Sequence, residues 1–566
     1  MSASAHRVAP ALIAAGAALL FWNLGRPLLW QDEAETALRA ESILDTGLPR
    51  LRVRGVLATA QPSLAPNEAR EGGVWIWDTW LPAYLCAASF GAFGAGPGAA
   101  RLPFALAGLA ALWLWWRIFD AERRRGPDWA PEAALAFLAL SPAYLLFCRQ
   151  SRYYALLALG NALVLLAWRA LLRGRRGSVW AVALALNFLL HASFGFFAAA
   201  GLALALDAAL RGRECLRPRF AAAAALSLGL AAPAIVYFRV WERPGNHAYG
   251  PAESLEFLKT FLLWLAAFAA PLAVAAAARA RRGLVVAAGF VLLCGLVAEG
   301  GASRLCAAAA LAGVLIAAWR APAPEGDLGL RRMAWLLIAS TLALLSLGAA
   351  EPYGRYLVGI LPACAYLVGT DAAALSRGRG WAVAALCAAT LSSNLLFWAP
   401  LKAAQAFAAP ASAVDSVSGM MRRRLRDLSF RCDLAGLAGE TARGARGYLE
   451  PAVAAIKAGG GRTFFSDADQ LSLMFATGLR PVYPDDFLKT EPDWLLPSPW
   501  LALQPELARR VEELVESGRY APAGVFAPRI LWQNNPDPLY RVWRPASGPL
   551  ALYRRVAGPN RLFTRD

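Results

Sequence analysis

The chain is short of the side chains from which metal and nucleotide sites are usually assembled. Only three histidines occur, His6, His191 and His247, far apart in the sequence, so no multi-histidine metal site can be built from them. Neither a Gly-x-x-x-x-Gly-Lys-Ser/Thr loop nor a His-Glu-x-x-His motif is present, which argues against a nucleotide-driven pump. Lysine is almost absent: Lys259, Lys402, Lys457 and Lys489 are the only four, so the net charge of +18 is carried by arginine. Cysteine gives no disulfide framework, because Cys86, Cys148, Cys215, Cys294, Cys306, Cys364 and Cys387 are singletons in or beside apolar stretches and only Cys432 lies in the polar tail. A cleavable leader is not expected either, since Phe21-Trp22-Asn23-Leu24-Gly25-Arg26 after the first apolar run lacks a small-x-small site.

Hydrophobic runs, by contrast, are abundant. Of 566 residues, 58% are hydrophobic and only 17% charged, and 21 are Trp, which marks a polytopic membrane protein. Most of the positive charge sits in short loops between apolar segments, where orientation and anionic lipid account for it, so no nucleic-acid partner is implied. Stretches able to cross ~30 Å of hydrocarbon fall near 8–24, 101–118, 130–148, 154–172, 178–192, 194–210, 220–238, 255–277, 283–299, 304–319, 333–350, 356–375 and 380–400. Residues 81–98 form a fourteenth apolar stretch, short and ending in Gly96-Pro97-Gly98.

Arginine distribution decides how that stretch is read. If it does not cross and the N-terminus is cytoplasmic, the clusters at Arg123–Arg125, Arg173–Arg176, Arg211–Arg219, Arg279–Arg282, Arg331–Arg332 and Arg377–Arg379 all lie inside, as the positive-inside rule requires. Counting 81–98 as a span would put each of them outside. The expectation is thirteen spans, with 81–98 juxtamembrane or re-entrant on the outer face and residues 401–566 outside as a separate domain. Helical and strand patterns at 447–458, 462–465, 467–477, 480–483, 504–517, 540–543 and 550–555 predict a small α/β fold there. Arg422-Arg423-Arg424 is read as lying on anionic headgroups.

The outer face gathers the chemistry. Trp30-Gln31-Asp32-Glu33-Ala34-Glu35 opens an amphipathic helix at the membrane surface; Asp32 with Glu35 reads as a capping box, and Gly47 followed by Pro49 as its end. An Asp-Glu pair just outside a bilayer can take a proton from an acceptor or hold a cation, so a divalent metal is left open as a cofactor. The other outer loops bring Trp75-Ile76-Trp77-Asp78-Thr79-Trp80-Leu81-Pro82-Ala83-Tyr84, Arg149-Gln150-Ser151-Arg152-Tyr153-Tyr154 and Arg355-Tyr356. Arginine at the hydrocarbon boundary is costly unless paired, and a guanidinium fork suits a phosphate ester. Taken alone, Asp32 could instead be only a helix cap, and Arg152 and Arg355 only snorkelling helix ends.

Four features in order carry a family resemblance. They are Asp32-Glu33-Ala34 in the first outer loop, Ala100-Arg101-Leu102-Pro103-Phe104 opening a later span, Ser141-Pro142 leading into Arg149-Gln150-Ser151-Arg152-Tyr153-Tyr154, and Arg355-Tyr356-Leu357 before Leu361-Pro362. Over residues 8–400 the chain resembles the GT-C superfamily of polyprenyl-phosphate-sugar-dependent glycosyltransferases, in the bacterial branch that includes lipid A aminoarabinose transferases and protein O-mannosyltransferases. The resemblance implies an all-α GT-C membrane domain over 1–400, a first outer loop with juxtamembrane helices over 25–100, and an extracytoplasmic α/β domain over 401–566. It implies transfer of a sugar from a polyprenyl phosphate to an envelope lipid, glycan or protein on the periplasmic face of the inner membrane, with inversion and with Asp32 as base. Asp32 and Glu33 are then the expected catalytic carboxylates, and Asp78, Tyr84, Arg149, Arg152, Tyr153, Arg355 and Tyr356 the expected substrate contacts. Many relatives carry Lys-Pro-Pro-Leu or His-Pro-Pro-Leu where this chain has Thr79-Trp80-Leu81-Pro82-Ala83-Tyr84, so the basic group is missing there and Asp78 stands nearby. The readings from other classes are a transporter or lipid flippase, which would want ionisable groups at mid-span, and a non-catalytic GT-C relative.

Overall fold

A computed structural model describes residues 5–59, 68–123, 129–242, 250–263, 265, 289, 291–296, 301–320, 328–348, 354–377, 379–392, 433–443, 448–498, 501, 504–526 and 550–556. Helix α1 (Ala5–Phe21) is followed by α2 (Gln31–Thr46), a hairpin of β1 (Arg52–Val53) and β2 (Val56–Leu57), and α3 (Leu81–Phe93). A run of apolar helices comes next: α4 (Pro97–Ala121), α5 (Ala130–Ala139), α6 (Pro142–Cys148), α7 (Tyr154–Leu172), α8 (Ser178–Ala192), α9 (Phe194–Leu210) and α10 (Pro218–Tyr237). After it stand α11 (Gly301–Arg320), α12 (Leu330–Gly348), a 3₁₀ turn (Gly354–Ile360) running into α13 (Leu361–Leu375), and α14 (Gly380–Ser392).

Five of these helical segments are long and apolar enough to cross a membrane among the described residues: α4, α7, α10, α12 and the Gly354–Leu375 unit. The chain is accordingly a polytopic membrane protein. A sixth crossing is available if α5 and α6 are one span, bent by 54°. The bend has a local cause: Leu140 ends α5, the Ser141 hydroxyl accepts the Tyr144 N–H at 3.4 Å, and Pro142 opens α6. Helices also occupy the shorter expected segments at 8–24, 178–192, 194–210 and 304–319 and the described part of 380–400, whereas the expected spans at 255–277 and 283–299 lie mostly outside the described residues. The 81–98 stretch becomes the 13-residue α3. At 1.5 Å per residue that is about 20 Å, short of the ~30 Å core. It packs against α2 and α4.

Small residues let these helices meet closely. A Cβ on Gly369 of α13 would stand 2.8 Å from both the Ala130 carbonyl oxygen and Ala134 Cα, backbone atoms of α5 that cannot turn aside. Far from the acidic helix in sequence, a buried ionic knot ties three helices together. Asp207 of α9 is fully enclosed and accepts from Arg332 Nε of α12 and Trp168 Nε1 of α7, both at 2.8 Å, and from Arg211 Nε at 2.8 Å.

Beyond α15 (Asp433–Arg443), helix α16 (Leu449–Gly459) leads to β3 (Thr463–Phe465), α17 (Gln470–Thr477), β4 (Arg480–Pro481), α18 (Pro484–Phe487), β5 (Trp494–Leu495), α19 (Pro505–Glu516), β6 (Tyr520–Phe526) and β7 (Leu550–Arg555). The five C-terminal strands form one sheet in the order β4-β3-β5-β7-β6, parallel across β4, β3 and β5 and antiparallel across β5, β7 and β6. Strands β5 and β6 were not expected, β7 was, and the strand expected at 540–543 and the basic Arg422–Arg424 run lie outside the described residues. Asp485-Asp486 are exposed and belong to the single helical turn that Pro484 starts.

This sheet shares its core with the first outer loop. Leu29, Ala34, Ala37 and Leu38 around α2, and Ala83, Cys86, Ala87 and Phe90 of α3, pack in one cluster with Leu449, Val453, Phe464, Leu471, Met474 and Leu552. Hydrogen bonds cross the same boundary: Gln31 Nε2 donates to Gln470 Oε1 at 3.1 Å and Leu471 N donates to Gln31 Oε1 at 3.0 Å. The stacked rings of Phe90 and Phe475 lie 6.2 Å apart.

Candidate functional site

Helix α2 sets the geometry, but its first turn differs from the expected one. The N-cap is Trp30, in extended conformation, and Asp32 sits inside the helix at its second position. Glu33, not Glu35, reaches back to the N-cap, accepting the Trp30 N–H at 3.4 Å. Gly47 does end the helix, at φ 77°, and its N–H closes on the Ile43 carbonyl at 2.8 Å. Because Asp32 is not spent on capping, its carboxylate is free to face outward, and it meets Arg355 Nη2 at 3.4 Å.

Glu33 points the other way, into the protein, and is completely buried. Arg101 grips it with two bonds, Nε to Oε1 at 2.8 Å and Nη2 to Oε2 at 2.6 Å. Ser151 N donates to the same carboxylate at 2.9 Å. The remaining Arg101 donors go to the carbonyls of Leu24, Pro27 and Leu28 at 3.1, 2.7 and 3.0 Å. So one acid–base pair joins the loop after α1, the start of α2, the start of α4 and the turn before α7. Arg149 is also committed to backbone, bonding the carbonyls of Leu19 and Trp22 at the end of α1. Burial, with the charge of Arg101 nearby, lowers its guanidinium to about 10.

The outward face of α2 builds the cleft. Arg152 Nη1 lies 3.4 Å from Glu35 Oε2 and 3.4 Å from Thr36 Oγ1, and its Nη2 lies 3.5 Å from Asp78 Oδ2. Its guanidinium also stands 5.5 Å from the Tyr153 ring centre. Glu35, Thr36, Arg39, Trp75, Asp78, Thr79, Trp80, Pro82, Arg152 and Tyr153 line an open cleft. Desolvation pushes the Glu35 carboxyl up to about 7 against the opposing pull of Arg152 and Arg39. Burial likewise raises the Tyr153 phenol, which therefore stays a hydrogen-bond donor. Arg39 is 2% exposed, stacks 3.9 Å over the Trp75 ring and donates to the Arg50 carbonyl at 2.7 Å, holding the loop that forms one wall.

Of the residues expected from sequence, Asp32, Asp78, Arg152, Tyr153, Arg355 and Tyr356 come together: the Arg355 guanidinium lies 5.4 Å from the Trp30 ring and 5.7 Å from that of Tyr356. Tyr84 does not join them. Its hydroxyl donates to the Gly47 carbonyl at 2.8 Å, at the far end of α2 from Asp32. Where a basic residue would stand in GT-C relatives, Trp80 bonds the Trp75 carbonyl at 2.7 Å and meets Tyr237 and Phe238 edge-on at 5.3 Å each, an aromatic wall beside the cleft. Glu35, Arg39 and Arg101 were not anticipated as site residues. Among the described residues no group of three His, Cys, Asp or Glu side chains could hold a metal ion; Asp32, Glu35 and Asp78 each face an arginine instead.

No protein-family model matches the sequence, and no curated protein does. Solved structures do match it. A crystal structure of ArnT from Cupriavidus metallidurans bound to undecaprenyl phosphate is similar with a TM-score of 0.50 at 16% sequence identity, covering 97% of this chain and 98% of that one. The same protein in the apo state is similar with a TM-score of 0.51 at 16% identity, covering 98% and 99%. The chain has the fold of these ArnT structures over nearly its whole length.

Proposed function

We propose that this protein is an integral-membrane glycosyltransferase that takes a sugar from a polyprenyl-phosphate donor and passes it to an envelope lipid, glycan or protein on the non-cytosolic face. The observation that carries the reading is the meeting of Asp32 with Arg355, 323 residues apart in sequence, next to Arg152, which donates to the Asp32 carbonyl at 3.3 Å and lines the cleft with Glu35 and Asp78. The likeness to an ArnT structure bound to undecaprenyl phosphate supports the choice of donor.

In this reading the acceptor oxygen or nitrogen attacks C1 of the sugar, its proton passes to Asp32, and the C1–O bond breaks with its electron pair going to the phosphate. Arg355 and Arg152 neutralise the charge that grows on the departing polyprenyl phosphate. Attack opposite the leaving group inverts the anomeric carbon. Glu33 takes no part in proton transfer, since all its lone pairs face donors; it positions Asp32. A second assignment of the base is favoured by one observation: Glu35 lines the cleft and its carboxyl titrates near the pH at which a general base works best.

Residues 1–400 form the catalytic membrane domain in this proposal, and 401–566 the extracytoplasmic α/β domain. The core shared by α2, α3 and the sheet supports placing the first loop and the tail on one side, as an odd number of spans demands. An N-terminus in the cytoplasm then puts both in the periplasm, with the multi-pass domain in the inner membrane. Purified protein given a radiolabelled polyprenyl-phosphate sugar and a membrane fraction should label a membrane component, and Asp32→Asn should stop labelling without loss of expression. Full transfer by D32N together with loss in E35Q moves the base to Glu35. Movement of intact labelled donor across vesicles with no transfer would establish a transporter or flippase instead, and neither transfer nor movement a non-catalytic relative.

A further inference from the structure

Buried donors in folded proteins nearly always have a hydrogen-bond partner, and each exception asks for a cause. Two exceptions flank the charged residues of the site, Trp30 before Asp32 and Tyr154 after Arg152. Trp30 is 5% exposed and Tyr154 is fully enclosed, yet neither the indole Nε1 nor the phenolic Oη has a hydrogen-bond partner among the described residues. Both belong to the same charged group. The Trp30 ring lies 5.4 Å from the Arg355 guanidinium, and the Tyr154 ring lies 4.8 Å from that of Tyr153, which stands 5.5 Å from the Arg152 guanidinium. Sequence position fixes them there: Trp30 is the N-cap of α2, two residues before Asp32, and Tyr154 is the first residue of α7, two after Arg152.

An indole N–H can only donate, and a buried phenol keeps its proton. Asp32, Glu35 and Asp78 nearby are each already faced by an arginine. What Trp30 and Tyr154 lack is an acceptor of their own. We propose that Trp30 Nε1–H and Tyr154 Oη–H bind phosphoryl oxygens of the lipid-linked donor alongside Arg152 and Arg355, an assignment that rests on the glycosyltransferase reading. Donor binding then draws Arg355 from Asp32 to the phosphate and frees the carboxylate for the acceptor's proton. As the C1–O bond breaks, the phosphodiester with one negative charge becomes a monoester with two, so the same donors hold the product more strongly than the substrate.

Tyr154→Phe removes one oxygen and little else. Without lipid the variant should unfold in detergent at the same temperature as the wild type or slightly higher, because no protein partner is lost. Its affinity for undecaprenyl phosphate should fall roughly 10- to 100-fold, the loss expected for a hydrogen bond to a charged group, and kcat/KM for the donor should fall alongside while the pH profile stays put. Trp30→Phe should weaken lipid binding in the same direction. Destabilisation of lipid-free Y154F, or lipid binding by Y154F equal to wild type, overturns the assignment. Failure of the wild type itself to bind undecaprenyl phosphate overturns the glycosyltransferase reading beneath it.

Discussion

Asp32 and Glu33 are adjacent in sequence and opposite in consequence, and separating them tests the whole account of the site. Replacing Glu33 by Gln keeps the shape but removes the charge, and turns half of the acceptor into an NH₂ group facing Arg101. Glu33 is 0% exposed and Arg101 6%, so the orphaned guanidinium cannot recover its loss from water. Breaking a buried pair from one side costs about 3–5 kcal/mol, and the three carbonyls that still accept from Arg101 place this case toward the lower end. Asp32→Asn, by contrast, gives up a 3.4 Å contact between a carboxylate 24% exposed and a guanidinium 11% exposed. That is worth about 1 kcal/mol. Unfolding of both variants in detergent, with amide hydrogen exchange read over 28–40 and 149–153, should therefore show E33Q opened at the start of α2 and D32N nearly native. Donor turnover should vanish in D32N, and E33Q should lose activity in proportion to its folded fraction. A native-like E33Q with no turnover would refute the division of labour and make Glu33 catalytic.

Other consequences are testable on the same preparations. Since burial raises the Glu35 carboxyl from 4.5 to about 7, the folded state binds the proton more tightly than the unfolded one. Stability must then fall as pH rises from about 4.5 to about 7, by at most about 3 kcal/mol; unfolding midpoints across that window should lose this slope in Glu35→Gln, and a slope of opposite sign would refute it. Arg355→Lys, which keeps the charge but not the fork, should raise the donor KM roughly 10-fold or more, as expected where bidentate recognition is lost, with KM and kcat measured separately. Gly369→Ala should force α5 and α13 apart and lower the yield of folded protein through overpacking of about 1–3 kcal/mol, seen as a lower unfolding midpoint. Asp207→Ala should destabilise by about 3–5 kcal/mol because two arginines lose their acceptor, while donor affinity of the surviving folded fraction stays unchanged.

The parts of the site that the sequence made legible are those whose cost could be reckoned locally. Arg152 and Arg355 at the edge of apolar helices demand partners, and both have them. The same demand applied to Arg101, which opens α4 and is followed by Pro103 and a long apolar run, yet there it went unread because the residue looked like one more helical start. What concealed it is distance: its partner Glu33 is 68 residues away and disguised as the helix-dipole acid that any first turn could carry. Glu35 was hidden for a related reason, since it was assigned to a capping box whose true reciprocal member is Glu33, two positions earlier. A three-residue capping pattern fits wherever two acids are so spaced, and here the helix takes Trp30 as its N-cap. The Trp30 ring lies 5.4 Å from the Arg355 guanidinium. Had the helix begun two residues later, Asp32 would have been its N-cap. With Trp30 as N-cap, Glu33 closes back on the start of the helix and Asp32 is left facing Arg355.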